Sequence, residues 1–438
     1  MVVMKFGGSS LGNTERIKNV CNIIKSKEKP VVVLSAMQGI TDRLIEAAEK
    51  AEKGDDVSKE LDEIKKTHHE TLKDLELKED LVDNVLGEFF SAIDKIFVMK
   101  KTNPELMDLV QSFGERLSCR LVAAYLTKIG VEAEAYDAYD IGMVTNPEYG
   151  NAEPLPDTEE KIGDILKKIT VLPVITGFIG KDSSGQVTTL GRGGSDYTAA
   201  IIGAALGVSV EIWTDVNGVM TTDPRVVKEA KTIKEISFNE ASELAYFGGR
   251  VLHPKTIWPA VKKNIPVKVL NSFEPEHEGT TILKEAEATK EKAKAIACKK
   301  GITLVNLVST RMLLAHGFLS RVFSVFEHHK KSVDMVATSE VSVSLTVDKD
   351  NDLDKIKSDL NGIADAKILT NKAVVCVVGE GMRKVPGLSG KIFTALGKEG
   401  VNIEMISQGA SEINISLIVD EKDADKAVKV LHKEFFGL

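Results

Sequence analysis

The chain has 438 residues, enough for about three domains at roughly 150 residues each, and its 43% hydrophobic and 28% charged residues suit a globular protein with ample core. Its 57 Lys and Arg against 65 Asp and Glu leave a net charge of −8, which, without a basic tract, argues against nucleic acid or an anionic membrane as the main partner. Four scattered cysteines (Cys21, Cys119, Cys298, Cys376) and no apolar stretch near a membrane span argue against a disulfide framework, a zinc site or a transmembrane helix; with no charged leader before the first strand, the expected compartment is the cytoplasm.

A first strand is predicted over 2–6, "VVMKF". It runs into Gly7-Gly8-Ser9-Ser10 and a helical pattern from near Asn13. Backbone N–H groups of a glycine turn ahead of a helix form a ready anion site, and Lys5 at the strand end can add a point charge. An ordinary β-α turn with an exposed lysine fits the same residues. The run "VVVLSA" (31–36) repeats the arrangement, followed by Gly39 and Thr41-Asp42 as an expected helix N-cap. From about Lys53 to Lys101 the chain is polar and helical in pattern, without visible chemistry.

The stretch "ELMDLVQSFGERLSCRLVAAYL" places Leu106, Val110, Phe113, Leu117, Leu121 and Ala124 at spacings of three and four, an amphipathic helix. Glu115 falls two residues from both Phe113 and Leu117, so it is expected to point away from the apolar stripe, into solvent. Further apolar runs at 171–179, 210–216 and 266–270 lack alternation and predict strands covered on both faces, as in a mostly parallel sheet. Strands alternating with helices predict an α/β fold.

Between the first two of those runs lies "TTLGRGGSDYTAAIIGAAL" (188–206). Its glycines permit close backbone approach to a ligand, Arg192 can grip a carboxylate or phosphate bidentately, and Ser195 and Asp196 open the next helix. No lysine stands where a P-loop would carry one. An arginine and an aspartate beside one helix N-terminus suit a zwitterionic substrate, or a phosphate with Mg²⁺. Then comes "WTDVNGVMTTDPRVV" (213–227), with Thr214-Asp215 at a strand end and two turn signals, at the carboxyl edge where α/β sheets bind ligands. His253 has no triad or metal partner at useful spacing and reads as structural. The shared location of these motifs points to phosphoryl transfer, in which the protein positions reactants and neutralises charge.

After a charged segment at 284–295, read as a linker or connecting helix, the chain repeats itself. "RVFSVFEHHKKSVDMV" (321–336) matches "KIFTALGKEGVNIEMI" (391–406), and "SEVSVSLTVD" (339–348) matches "SEINISLIVD" (411–420). Each copy reads helix, strand, turn, alternating strand, helix, with a short strand before it at 302–307 or 373–378. That order predicts two ferredoxin-like βαββαβ modules.

"KFGGSS", "LSAMQGITD", "FGERLS", "TLGRGGSDYTAA", "TDVNGVMTTDPR" and "FGGRVLHPKT", in this order, resemble the motif series of the aspartate kinase family, and the repeat resembles its two ACT regulatory modules. The resemblance implies an amino acid kinase fold, an αβα sandwich with a largely parallel central sheet, over 1–283. It further implies a linker over 284–298, a first ACT domain over 307–372, and a second built from 299–306 with 373–438. The implied reaction transfers the γ-phosphate of ATP, with Mg²⁺, to the side-chain carboxylate of L-aspartate, the opening step of lysine, threonine and methionine biosynthesis. No side-chain metal ligand is assigned.

By the same resemblance Lys5 neutralises the transferring phosphate with help from Gly7 and Gly8, beside Phe6 and Ser9. Arg192 holds the substrate α-carboxylate and Glu115 its ammonium, while Thr41, Ser195 and Asp196 complete the pocket. Thr214, Asp215, Met220, Arg225 and Arg250 line the nucleotide site, with Met220 standing where a tyrosine is frequent. Met312, Gly317, Phe318, Leu319, Asp334, Ser339 and Glu340 match the lysine-binding edge of lysine-inhibited members, with Ala315 replacing a serine and Asp334 facing the effector ammonium. Feedback inhibition by lysine is expected, threonine being the weaker candidate, together with a homodimer or dimer of dimers through the ACT modules. The alternatives are another acceptor on the same fold (glutamate, carbamate or a nucleotide monophosphate) or an amino-acid sensor with an inactive kinase part. On length, no fused homoserine dehydrogenase is expected.

Overall fold

The computed structural model describes residues 1–247, 252–286, 293–312, 316–348, 353–408 and 413–437. In chain order the first part forms β1 (Val2–Phe6), α1 (Thr14–Lys25), β2 (Pro30–Leu34), α2 (Ile40–Lys53), α3 (Ser58–Asp74), α4 (Asp83–Met99), α5 (Pro104–Lys128), β3 (Ala133–Tyr136) and α6 (Thr158–Leu166). It continues with β4 (Leu172–Thr176), the hairpin β5 (Ile179–Lys181) and β6 (Val187–Thr189), α7 (Gly194–Leu206), β7 (Val210–Thr214), β8 (Glu235–Ser237), α8 (Phe238–Tyr246), α9 (Pro254–Lys262), β9 (Val267–Asn271) and β10 (Thr280–Leu283). Eight of these strands make one sheet in the order β3-β4-β2-β1-β7-β9-β10-β8, parallel except where β10 meets β9.

Alternation along β1 sorts its side chains between two layers. Met4 and Phe6 join the core formed with α1, α2, α4 and α5, so Lys5 points to the opposite face, where α7 packs on β1, β2 and β7. The helix ends follow local chemistry. Asn13 caps α1 by accepting from the Arg16 N–H at 3.0 Å, and Asn103 caps α5 by accepting from Leu106 at 2.7 Å, with Pro104 at the first helical position. The expected cap at Thr41-Asp42 is displaced: Gly39, in the left-handed region at φ 78°, holds the cap position and Thr41 lies inside α2.

The last part forms β11 (Ala295–Val308), α10 (Phe318–His328), β12 (Val336–Thr338), β13 (Ser342–Asp348), α11 (Leu353–Asn361), β14 (Asp365–Val378), α12 (Leu388–Lys398), β15 (Met405–Ser407), β16 (Asn414–Asp420) and α13 (Ala424–Phe436). Its six strands make a second sheet, ordered β12-β13-β11-β14-β16-β15. The repeat is visible as two cores, one under α10 and α11 and one under α12 and α13.

The module boundaries differ from the expected ones. Ile302–Val308 pairs with Ser342–Asp348 of the first copy, whereas Ala295–Lys300 pairs with Ala373–Val378 of the second. The strand segment 302–306 therefore sits with the first module, and 295–300 supplies the strand of the second. Ala295–Cys298 is strand and not linker. The physical reason is the length of β11 and β14: at 14 residues each, they pair with each other through both modules, with register shifts around Gly301, while β13 joins β11 only over Ile302–Val308 and β16 joins β14 only over Lys372–Val378.

The chain divides into two units, Met1–Val219 with Lys234–Phe238 and Val251–Ala286, and Met220–Ile233 with Asn239–Arg250 and Glu287–Leu438. Two segments expected within 1–283 thus group with the second unit. Within it, the Thr221 carbonyl accepts from Ile296 at 2.8 Å, the Thr221 hydroxyl meets His432 Nε2 at 3.0 Å, and the Glu240 carboxylate accepts from the Glu380 N–H at 2.8 Å. All four cysteines are free, and no helix among the described residues is long and apolar enough to cross a membrane.

Candidate active site

A cavity of about 620 Å³ opens in the first unit, lined from the carboxyl ends of β1, β2 and β4, the first turn of α2, the middle of α5, and the glycine loop entering α7. This is the edge where parallel sheets collect ligands. Lys5, Gly8, Ser9, Thr41, Glu115, Arg192, Ser195 and Asp196 all line it. Residues spread over nearly 200 positions of sequence are brought together because β1 and β2 are neighbours in the sheet and α7 lies across them.

Lys5 Nζ stands 2.7 Å from Asp196 Oδ1, the two side chains being 12% and 14% exposed. Asp196 is the third residue of α7, where the helix dipole favours negative charge. The glycine loop can turn this tightly because Gly191 and Gly193 both adopt φ 73°, a conformation costly to any residue with a Cβ. Gly177, at the end of β4, gives Ser195 its place: a Cβ there would lie 2.5 Å from the Ser195 Cβ. Next to it Phe178 takes φ 70° in the cavity wall, a conformation uncommon for a non-glycine residue and enriched at ligand sites.

Glu115 departs most from expectation. It is 4% exposed, because α5 packs on β2, β3 and β4 on one side and on α1, α2 and α4 on the other. Burial pushes its carboxyl up to about 8, opposed by the Ala36 N–H and the charge of Lys5, and Oε2 has no hydrogen-bond partner among the described residues. A buried carboxylate oxygen without a partner, on a residue that lines a cavity, is a site for a cation to complete. Arg192 is exposed at the rim and forms no ion pair among the described residues.

The remaining expected residues lie elsewhere. Phe6 is fully buried, stacks on Trp213 at 5.8 Å, accepts the Ser35 N–H on its carbonyl and does not line the cavity. Gly7 donates its N–H to the Trp213 carbonyl at 3.3 Å. Thr214 ends β7 and the exposed Asp215 follows it, the two side chains bonded to each other at 3.1 Å, and neither lines the cavity. Met220 bridges to Thr232, and Arg225 is paired with Asp223 at 2.6 Å, both in the second unit. Arg250 and Ala315 lie outside the described residues. His253 precedes α9, its carbonyl accepting from Thr256.

In the second unit Met312 ends a short 3-10 turn, Gly317 starts α10 at φ 73°, and Leu319 is exposed. Phe318 is buried in the core of the first module. Asp334 accepts from the Tyr246 hydroxyl at 2.6 Å and meets Lys299 Nζ at 3.4 Å. Ser339 and Glu340 are exposed in the turn between β12 and β13, the Ser339 hydroxyl bonded to that of Ser342 at 2.7 Å.

Sequence reasoning missed Asp108, buried at 1%, and the cavity-lining Gln111. A signal existed: Asp108, Gln111, Ser112 and Glu115 fall at i, i+3, i+4 and i+7, one stripe of α5. A polar stripe on a helix reads as solvent-facing until a second layer is known to cover it.

The amino acid kinase family model matches residues 1–271, and an ACT domain model matches 375–435. Aspartokinase 1, chloroplastic, of Arabidopsis thaliana is 42% identical over 455 residues, covering 99% of this chain and 80% of its own length. Lysine-sensitive aspartokinase 3 of Escherichia coli is 38% identical, covering 100% of this chain and 99% of its own. The crystal structure of Escherichia coli aspartokinase III in complex with aspartate and ADP superposes with a TM-score of 0.82 at 35% identity, with 100% of both chains covered.

Proposed function

The chain belongs to the aspartokinase family, and we propose on that premise that it transfers the γ-phosphate of ATP to the side-chain carboxylate of L-aspartate, forming 4-phospho-L-aspartate and ADP. The observation that carries this reading is the cavity's charge pattern, with Lys5 and Asp196 2.7 Å apart on one wall and the open Glu115 carboxylate on another. Glu115 takes the substrate ammonium and Arg192 its α-carboxylate, so the side-chain carboxylate is directed toward Lys5. Lys5 neutralises the charge spread over the transferring phosphoryl oxygens; the Gly7 N–H is taken up by the Trp213 carbonyl, so it is the N–H of Gly8, in the cavity lining, that adds a dipole at the same anion. Thr41 and Ser195 offer hydroxyls in the lining. Thr214 and Asp215, at the carboxyl end of β7, serve the nucleotide.

Mg²⁺ enters with ATP in this reading. Asp42 and Asp196 are the aspartates of the lining, which fits an ion held by one or two carboxylates with phosphates and water. When bound it would neutralise phosphate charge.

Lysine inhibition belongs to the same proposal, supported by likeness to the lysine-sensitive enzyme of Escherichia coli. Asp334 would receive the effector ammonium. Pairing of copies through the ACT modules is supported by apolar residues exposed on the first module: Leu319, Phe323 and Val341. Four free cysteines suit the cytoplasm.

A coupled ADP-release assay tests the reading. ADP release is expected with aspartate and not with glutamate or carbamate, and to fall when lysine is added. The absence of aspartate-dependent release by the pure chain would refute the activity, and indifference to lysine would refute the regulation alone.

A further inference from the structure

Asp108 is a carboxylate that no cation neutralises among the described residues. It sits on α5, two turns before Glu115 on the same stripe, and is 1% exposed. Its Oδ2 accepts the N–H of Gly150 at 2.9 Å and of Thr189 at 2.7 Å, while Oδ1 accepts the Thr189 hydroxyl at 2.9 Å. Burial raises its pKa, against the pull of these three donors. A buried carboxylate is a costly way to close a loop, which raises the question of what it holds.

Its partners belong to two loops that meet at the substrate end of the cavity. Thr189 ends β6, two residues before Gly191 and three before Arg192. The other loop lies against the first, since a Cβ on Gly191 would come within 2.9 Å of the Asn151 side-chain oxygen and 3.0 Å of the Gly150 carbonyl. Gly150, Thr189, Gly191, Arg192 and Glu115 all line the cavity. Several further bonds tie these loops to each other and to the residues around the β5–β6 hairpin: Ala152 N–H to the Thr189 carbonyl, Leu190 N–H to the Phe178 carbonyl, and Gly194 N–H to the Gly191 carbonyl; Glu153 also reaches Tyr197 and Lys255. Asp108 bonds α5 to both loops beside the cavity, while the other α5 bonds to the β3–α6 connection, from Arg116 and Arg120 to Asp137, lie at its start, next to β3.

We propose that Asp108 is a positioning residue for the amino-acid substrate, setting the distance between Glu115 on α5 and Arg192 on the glycine loop. The proposal rests on the reading above, in which these two groups grip the ammonium and the α-carboxylate of one molecule. A rigid helix connects Asp108 to Glu115, and three residues of chain connect Thr189 to Arg192. The clamp thus holds both grips in one frame before substrate arrives, and misplacement by about 1 Å is enough to cost binding and rate. Lys5 on β1 and the Gly7-Gly8 turn after it take no bond from Asp108, and Lys5 meets this frame only through Asp196, so the aspartate KM responds more than the ATP KM.

The test compares the wild-type full chain with Asp108→Ala and Asp108→Asn, measuring kcat and the KM for each substrate with the other saturating. Asp108→Ala should raise the aspartate KM about tenfold or more and leave the ATP KM within about twofold. Asparagine can accept both backbone N–H groups on its oxygen and donate to the Thr189 hydroxyl, so Asp108→Asn should stay within about threefold of wild type. A merely structural role would lower the melting temperature and the active fraction without separating the two KM values. Equal effects on both KM values, or an asparagine variant as impaired as alanine, would overturn the proposal. If Asp108→Ala does not fold, Thr189→Val, which removes only the hydroxyl bond, decides the matter: a raised aspartate KM supports the proposal and an unchanged one refutes it. Failure of the underlying activity would show separately, as no aspartate-dependent ADP release by the wild-type chain.

Discussion

Glu115 shows how a tertiary setting turns an unremarkable residue into a chemical group. Its raised pKa, near 8, is a burial effect, and the sign of the consequence follows directly. Between about 4.5 and about 8 the folded chain keeps a proton that the unfolded chain has lost, so this residue's contribution to stability is fully present below that window and is lost as pH rises through it. The ionised form is the one that attracts an ammonium. The kcat/KM for aspartate should therefore rise with pH, by about tenfold per unit well below the pKa, and level off above it. Glu115→Gln should lower kcat/KM and remove that limb of the profile, while making the chain more stable at pH 9 relative to wild type. A profile unchanged by the substitution would show that another group titrates.

The elements around the cavity are held by close approaches that leave no room for a methyl group. Gly177 is the clearest, because a Cβ at that position would overlap Ser195 at the start of α7. Gly177→Ala must push α7 away from the end of β4, at a cost of about 2 kcal/mol by the usual price of overpacking. Activity should fall more than stability, since Ser195 and Asp196 would move away from Lys5. Thermal melting alongside ADP release checks this, and an alanine variant of full activity would show that α7 can shift freely. Strand order decides the rest at this scale. "VVMKF" shows no apolar–polar alternation, and it is the two-residue period of the strand itself that sends Lys5 to the face opposite Phe6. That this face belongs to α7 depends on a pairing of β1 with β7, which no local pattern contains.

Across the whole molecule the repeat produces a duplicated ion cluster. Lys372 on β14 reaches Glu404 and Asp420, each at 2.6 Å, with its side chain 9% exposed. Lys299 on β11 reaches Asp334 at 3.4 Å and Asp348 at 2.6 Å, with 27% exposed. Both lysines come from the two long strands that the modules share. Removing a cation from the more buried cluster strands two carboxylates, so Lys372→Met should destabilise the second unit by about 1–2 kcal/mol, moderated because Asp420 remains partly in water. Lys299→Met should cost less. Denaturant unfolding of the two variants checks the order, and equal losses would show that burial does not separate the clusters.

Composition, the series of glycine motifs and the internal repeat were enough, from sequence alone, to indicate an α/β kinase-like domain followed by two related modules, because those features act locally: strands covered on both faces lose alternation, glycine turns need left-handed backbone, and duplicated cores preserve their spacing. Most of the cavity's residues were legible for the same reason, as each sits at the end of a recognisable strand or in the first turn of a helix. The tertiary structure alone decided three things. It buried Glu115 and Asp108, since only packing reveals that a helix's polar stripe faces a pocket. It moved 220–233 and 239–250 into the second unit, through hydrogen bonds between residues as distant in sequence as Thr221 and His432. And it split β11 and β14 between two modules, because strand register is settled by the partner across the ladder and not by the residues of the strand itself.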